Sequence, residues 1–130
     1  MSVQGGCLCG AVTFEIDGDL PAGDACHCTM CRKSSGHYVA SVDVKRAALR
    51  ILRDDGLKWY QSSPKVRRGF CKHCGCPMFF DPPADRTWIA VEMGSLEAPT
   101  GGRLEKHIYV ADKGDYYQIT DGLPQEMTPP

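Results

Sequence analysis

Eight cysteines in three tight groups constrain this chain more than any other feature of its sequence. The groups are Cys7-x-Cys9, Cys26-x-Cys28-x-x-Cys31 and Cys71-x-x-Cys74-x-Cys76. Thiols this close together favour metal binding in a reducing compartment, with a disulfide framework as the alternative. The opening MSVQGG has neither the basic leader nor the apolar core of a signal peptide, so we expect a cytoplasmic protein.

Length and charge limit the class of protein and its partners. A chain of 130 residues predicts a single domain with a modest core. The 15 basic and 16 acidic residues give a formal net charge of -1, which provides no field to attract nucleic acid or anionic lipid. No apolar run approaches the ~20 residues of a membrane span. We therefore expect neither nucleic acid nor membrane as a partner.

Short apolar and β-branched runs predict an all-β fold of antiparallel strands. The segment AVTFEI alternates, which places Val12, Phe14 and Ile16 on one face of a strand. Further strands are predicted at HYVASVDV, MFF, WIAVEM and KHIYV, between turns rich in Gly and Pro. Only DVKRAALRIL predicts a helix, of one or two turns, with Asp43 as its N-cap. The domain is predicted to span 1–122, and the tail 123–130 to be poorly ordered.

The first and last cysteine groups together supply the four thiolates of a closed zinc site, namely Cys7, Cys9, Cys71 and Cys74. Glycines beside these cysteines let the backbone turn tightly and point its amides at the sulfur atoms. Because the two groups are far apart in the sequence, a shared zinc ion would staple the amino-terminal strand to the middle of the sheet. We therefore predict a structural zinc here.

The middle group, Cys26, Cys28 and Cys31, has no fourth cysteine of its own. Three protein ligands and one exchangeable position are typical of catalytic zinc, and water, a substrate or Cys76 could fill the fourth position. Three thiolates would leave a zinc centre with a net charge of about -1, which disfavours water activation and suits an incoming thiol. The predicted substrate is therefore a thiol or its adduct with an aldehyde.

Several charged and polar side chains near the cysteines are weaker candidates. His27 and His73 are interpreted as loop-surface residues rather than ligands, because thiolates already complete the count. Arg32 and Lys33 could attract a substrate carboxylate or offset thiolate charge. The basic segment SSPKVRRGF is interpreted as a solvated strand face rather than an anion site, and Ser95 as part of a turn after a strand.

Five segments resemble successive blocks of the glutathione-dependent formaldehyde-activating enzyme family, which also includes centromere protein V. They are GGCLCGAVTFE, CHCTMCRKSSG, GFCKHCGCPMFF, GSLE and KHIYVADKGDYYQITDGLPQ, and together they cover nearly the whole chain. The resemblance implies an Mss4-like β-sandwich or β-tent held by zinc. It also implies a structural zinc on Cys7, Cys9, Cys71 and Cys74 and a catalytic zinc on Cys26, Cys28 and Cys31.

The activity implied by the resemblance is that of a carbon–sulfur lyase, which joins glutathione to formaldehyde as S-hydroxymethylglutathione or catalyses the reverse. One departure concerns Cys76, which stands where many relatives carry a small polar residue, so that its thiolate could close the second zinc. The resemblance to centromere protein V and Mss4 keeps a second hypothesis open, a non-catalytic zinc-stabilised interaction module. The sequence carries no signal for the oligomeric state.

Overall fold

The computed structural model describes residues 1–128, and these residues form an all-β fold, as predicted. The strands are β1 (Ser2–Gly6), β2 (Thr13–Asp17), β3 (Gly23–Cys26), β4 (Val39–Lys45), β5 (Leu49–Arg53), β6 (Leu57–Ser63), β7 (Val66–Cys71), β8 (Pro77–Asp81), β9 (Trp88–Glu92) and β10 (Leu104–Ile108). One α-helix, α1 (Thr29–Ser35), follows β3, and single 3-10 turns cover Arg46–Ala48, Met93–Ser95 and Val110–Asp112. No helix in the described residues is long and apolar enough to span a bilayer.

The strands form two sheets. The small sheet has the order β1-β2-β5, and the large sheet has the order β10-β3-β4-β9-β8-β7-β6. Neighbouring strands are antiparallel except β10 and β3, which are parallel. The strand that ends at Cys26 therefore lies between β10 and β4, near one edge of the large sheet.

The core lies between the two sheets. The small sheet supplies Phe14 and Ile16, and Val12 precedes β2; the alternation in AVTFEI predicted that these three side chains share a face. The large sheet contributes Phe79 and Val91, which are paired across β8 and β9. All five side chains are at most 1% exposed, and the rings of Phe14 and Phe79 are 5.0 Å apart. This apolar contact joins the sheets face to face.

The other face of the large sheet, here called the outer face, carries the residues that alternate with these core positions along the same strands. Residues directly opposite one another in antiparallel strands project from the same face. By this rule β3, β4, β9, β8 and β7 contribute Cys26, Ser41, Glu92, Phe80 and Arg68 to the outer face. Cys26 thus points away from the core and toward helix α1.

The predicted helix with Asp43 as its N-cap is wrong in extent and position. Asp43 lies inside β4, and only Arg46–Ala48 forms a single 3-10 turn before β5 begins. The alternation of Val42 and Val44 decides this, because both side chains are buried against the small sheet while β4 pairs with β9. Helix α1, in the middle cysteine group, was not predicted.

Residues 124–127, which belong to the tail predicted over 123–130, run beside β10. The His107 amide donates to the Pro124 carbonyl at 2.9 Å, and the Glu126 amide donates to the His107 carbonyl at 2.8 Å. Two further amides, of Val110 and Ala111, donate to this segment. Because β10 is an edge strand, it has free backbone groups to pair with the tail. Residues 129 and 130 of the predicted tail lie outside the described residues.

The buried carboxylate of Asp81, the last residue of β8, binds two arginines. Arg46 Nη2 donates to Asp81 Oδ1 at 2.6 Å, and Arg67 Nε donates to Oδ2 at 2.7 Å. Burial opposes ionisation of this carboxyl, but the two guanidinium groups outweigh it and hold the pKa of Asp81 below its ordinary value. The basic segment was interpreted as a solvated strand face. Arg67 instead binds a buried carboxylate.

Replacing Asp81 with Asn should lower the free energy of unfolding by about 3 kcal/mol at pH 7, because two guanidinium groups lose their buried partner. Since the folded-state pKa is depressed, this contribution is present above the ordinary carboxyl pKa and is lost as the pH falls below about 4. Melting temperatures of wild type and Asp81→Asn between pH 7 and pH 3 should therefore converge in acid. Asp55→Asn removes the partner of Arg53 in an exposed pair and should change little; equal losses from both variants would contradict this assignment.

Candidate metal centres

The first metal candidate is formed by the cysteines of the first and last groups. The Sγ atoms of Cys7, Cys9, Cys71 and Cys74 all lie within 4.8 Å of one another. Cys9 Sγ is 3.7 Å from Cys7 Sγ and 3.7 Å from Cys71 Sγ. With Zn–S bonds of about 2.3 Å, sulfur atoms at the corners of a zinc tetrahedron are about 3.8 Å apart. This donor set therefore fits a closed, four-sulfur metal site.

Backbone amides surround these sulfur atoms as the glycine-flanked sequence predicts. The Val12 amide donates to Cys7 Sγ at 3.3 Å. The Cys76 amide donates to the Cys74 sulfur, which is the main reason that the pKa of Cys74 falls to about 6. Gly75 has a left-handed φ of 76°, a conformation that favours glycine, and its amide donates to the Cys71 carbonyl at 2.7 Å. The turn after β7 thus directs the Cys76 amide to a cysteine sulfur, which favours the thiolate of Cys74.

The second metal candidate lies where β3 passes into α1. Cys26 is the last residue of β3, Cys28 is the N-cap of α1, and Cys31 lies in its first turn. The three Sγ atoms lie within 4.8 Å of one another, and the Cys31 amide donates to Cys28 Sγ at 3.3 Å. Hydrogen bonds from Cys26 and Cys31 lower the pKa of Cys28 to about 2. The junction therefore favours at least one thiolate before any metal binds.

The fourth position of the second group receives no side chain from the described residues. Among residues 1–128, no further cysteine, histidine or carboxylate joins these three donors. Cys76 belongs to neither group; its carbonyl accepts from the Cys71 amide at 3.0 Å, and its Sγ approaches Pro77 O at 3.7 Å. The structure does not bring Cys76 to the second group. All eight cysteines are free thiols, which does not favour the disulfide alternative.

Arg68 is a site residue that the sequence reasoning missed. Its Nη2 and Nη1 atoms lie 3.7 and 3.8 Å from Cys31 Sγ. Its guanidinium lies over the Phe80 ring at 5.2 Å, and its Nε donates to Ser62 Oγ at 3.2 Å. The alternation of β7 could have shown that Arg67 and Arg68 face opposite sides, but only the register shows which side carries the cysteines.

The other predicted candidates are placed differently. His73 and Lys33 are exposed and Arg32 is half-buried, and Ser95 ends a 3-10 turn after β9, as predicted. The prediction of a surface position for His27 is wrong, because its side chain is only 1% exposed. Burial lowers the pKa of His27 to about 4, with a smaller effect from His107.

A cavity of about 530 Å³ lies beside the first group and is lined by Cys7, Cys76, Glu92 and Ser95 among others. Glu92 belongs to both the cavity and the outer face. Burial raises the pKa of its carboxyl group, and the positive charge of Arg68 opposes this increase. The cavity therefore borders the face of the sheet on which the second group lies.

Comparison with known proteins identifies the family. A family model described as "Glutathione-dependent formaldehyde-activating enzyme" matches residues 2–112. The chain belongs to this family. A Schizosaccharomyces pombe protein named an uncharacterized lyase is 30% identical over 119 residues, which cover 91% of this chain and 85% of that protein. A crystal structure of a Rhodobacter sphaeroides protein has a TM-score of 0.59 and 26% identity, covering 73% of this chain and 88% of that one.

The two groups should respond differently to the loss of one ligand. We expect two metal ions per chain by elemental analysis, one that a mild chelator removes and one that is released only on unfolding. Cys9→Ser should lower the melting temperature severely, because it leaves the site between the sheets one ligand short, whereas Cys28→Ser should spare most of the fold.

Cys76→Ser serves as the matched control, because this cysteine lies in neither group. It should retain two metal ions and a melting temperature close to that of wild type. A single metal ion in wild type, or equal thermal losses in Cys9→Ser and Cys28→Ser, would contradict the assignment of a structural and an open site.

Proposed function

We propose that this protein is a zinc-dependent carbon–sulfur lyase that forms or breaks the adduct of a thiol and an aldehyde, with glutathione and formaldehyde as the leading pair. The observation that carries the proposal is a three-cysteine group with an open fourth position beside Arg68, in a member of this family. The related lyase supports a lyase reaction.

Zinc is the proposed metal at both groups. Thiolates select soft or borderline metals, and zinc combines a preference for four sulfur ligands with the absence of redox chemistry. The sulfur spacing of 3.7 Å in the first group is that of a zinc tetrahedron. Cys7, Cys9, Cys71 and Cys74 would hold the structural ion, and Cys26, Cys28 and Cys31 would hold the catalytic ion.

The reaction needs no oxidant or reductant. In the forming direction the thiol loses its proton, the sulfur attacks the carbonyl carbon, and the carbonyl oxygen takes up a proton; the reverse breaks the carbon–sulfur bond. A zinc ion held by the second group would supply a centre that favours the thiolate form of the substrate. Cys26, Cys28 and Cys31 would hold the ion and would form no bond to carbon.

Arg68 supplies positive charge where a thiolate substrate would arrive. Three thiolates around a divalent ion leave a net charge of about -1, which would repel a fourth anionic sulfur. The Arg68 guanidinium, 3.7 Å from Cys31 Sγ, offsets this charge and is held in place by the Phe80 ring and by Ser62. Arg68 thus makes entry of a thiolate favourable.

The proposed setting is the cytoplasm, where glutathione is abundant and thiols stay reduced. The proposed partners are a small thiol and an aldehyde. The near-neutral charge of the chain gives no reason to add nucleic acid or a membrane surface.

The test of the lyase proposal is the rate of S-hydroxymethylglutathione formation. This rate should rise with protein concentration above the uncatalysed background, vanish in Cys28→Ser and persist in Cys76→Ser. A wild-type protein with two zinc ions and no rate above background would refute the lyase and favour the non-catalytic interaction module.

The charge of Arg68 gives a second test. Arg68→Met should lower kcat/KM for glutathione at least about tenfold, since a hydrogen bond to a charged group is worth about 1.5 kcal/mol or more. Lys65→Met removes the same charge from an exposed position nearby and should leave kcat/KM unchanged. Equal effects of both substitutions would show that only the overall charge matters.

A further inference from the structure

A chain of four hydrogen-bonded side chains lies beside the second cysteine group. Asp121 Oδ2 is 2.8 Å from His107 Nε2, and His107 Nδ1 is 2.9 Å from His27 Nε2. The remaining ring nitrogen of His27, Nδ1, is hydrogen-bonded to the Tyr117 hydroxyl. His27 and His107 are 1% and 3% exposed, so both rings lie in the interior with every ring nitrogen bonded.

The carboxylate at one end of this series determines which group donates and which accepts in each hydrogen bond. The Asp121 carboxylate can only accept, so His107 Nε2 donates to it, and in a neutral ring His107 Nδ1 is then an acceptor. His27 Nε2 therefore donates to His107, and His27 Nδ1 accepts from the Tyr117 hydroxyl. With neutral rings, each histidine is held in one tautomer and one orientation.

His27 occupies the joint between β3 and α1. The residue before it ends the strand, and the residue after it is the N-cap of the helix. Its amide donates to the Ile108 carbonyl at 3.0 Å, so both its backbone and its ring are fixed by the carboxyl-terminal part of the chain. The backbone between Cys26 and Cys28 is therefore anchored at His27 by both a main-chain and two side-chain hydrogen bonds.

The two end members of this series, Asp121 and Tyr117, are themselves held in place. The Leu123 amide donates to Asp121 Oδ1 at 3.0 Å, and Lys113 Nζ donates to the Tyr117 carbonyl at 2.5 Å. Lys113 Nζ also lies 4.6 Å from the centre of the Tyr117 ring. Tyr117 and Asp121 lie beyond residue 112, where the match to the family model ends.

We propose that Tyr117, His107 and Asp121 are positioning residues for the second metal centre and act through His27. They hold the joint between strand and helix so that the three sulfur atoms keep the spacing a metal ion requires. The proposal rests on the metal assigned to this group under the proposed function, and it does not depend on which reaction the metal serves. Groups that orient metal ligands from outside typically change metal affinity or activity by 10- to 100-fold.

Two neighbouring tyrosines of the protein form a matched pair for the test. Tyr117→Phe removes only the hydroxyl that bonds to His27 and keeps the ring. Tyr116→Phe is the control, because the Tyr116 hydroxyl makes the same kind of bond to His37 Nδ1, at 2.8 Å, on the protein surface and outside the chain of four. Asp121→Ala removes the terminal acceptor, and Asp121→Asn restores an acceptor oxygen without the charge.

The first measurement is the release of cobalt from the fully loaded protein to a chelator, followed by its thiolate absorption. Tyr117→Phe and Asp121→Ala should speed release from the second group by about tenfold. Tyr116→Phe should match wild type, Asp121→Asn should recover most of the loss, and release from the first group should not change.

The second measurement is long-range nitrogen–proton NMR of the histidine rings at pH 8, where an ordinary imidazole is neutral. His27 and His107 should each appear as a single tautomer with the proton on Nε2, and Asp121→Ala should mix the tautomers of His107.

Equal cobalt release from Tyr117→Phe and Tyr116→Phe, whatever their melting temperatures, would overturn the proposal, as would mixed tautomers in wild type. Neither measurement uses lyase activity. A wild-type protein that lacks this activity but releases cobalt faster in Tyr117→Phe would refute the proposed reaction and leave the positioning role intact.

Discussion

The fold depends on the cluster of four sulfur atoms that joins its two sheets. Cys7 and Cys9 follow β1 of the small sheet, whereas Cys71 and Cys74 lie at the end of β7 in the large sheet. A metal at this point would close a long loop and help to keep the facing apolar surfaces together, including the contact between Phe14 and Phe79. A domain of this size gains much from such a link, because its core is small.

The second group differs from the first in where its sulfur atoms come from. Its three sulfur atoms come from one junction of strand and helix, and the groups that surround this junction come from distant parts of the chain. Arg68 reaches it from β7, and His107 and Tyr117 bond to His27 from the carboxyl-terminal part, where Asp121 in turn bonds to His107. In our proposals, Arg68 supplies positive charge and the other three side chains position the junction. Both depend on the register of the large sheet, which the core and the first metal group fix.

The sequence predicted best those features that depend on residues close together in the chain. The spacing of the cysteines indicated both groups, and the alternation around Phe14 indicated the all-β core. Sequence reasoning missed α1 because a helix of seven residues has no apolar periodicity to detect. In addition, the N-cap of α1 is a cysteine. The same reasoning missed Arg68 and His27 because their partners are 37 and 80 or more residues away. Such contacts follow from strand register and from the edge position of β10, which a single sequence does not specify.

The contrast between the two groups is the basis for proposing that only the second of them accepts a ligand from outside. Two turns supply two cysteines each to the first group, and the four sulfur atoms, all within 4.8 Å of one another, match the number of ligands of a closed zinc site. A single junction supplies three to the second group, and the charged side chain nearest to Cys31 Sγ is a guanidinium rather than another thiolate. A cation beside an electron-rich centre favours an anionic ligand over neutral water. Under the proposed function, Arg68 would therefore set the chemistry of the open position as much as the cysteines do, and a deprotonated thiol is the ligand that would satisfy both.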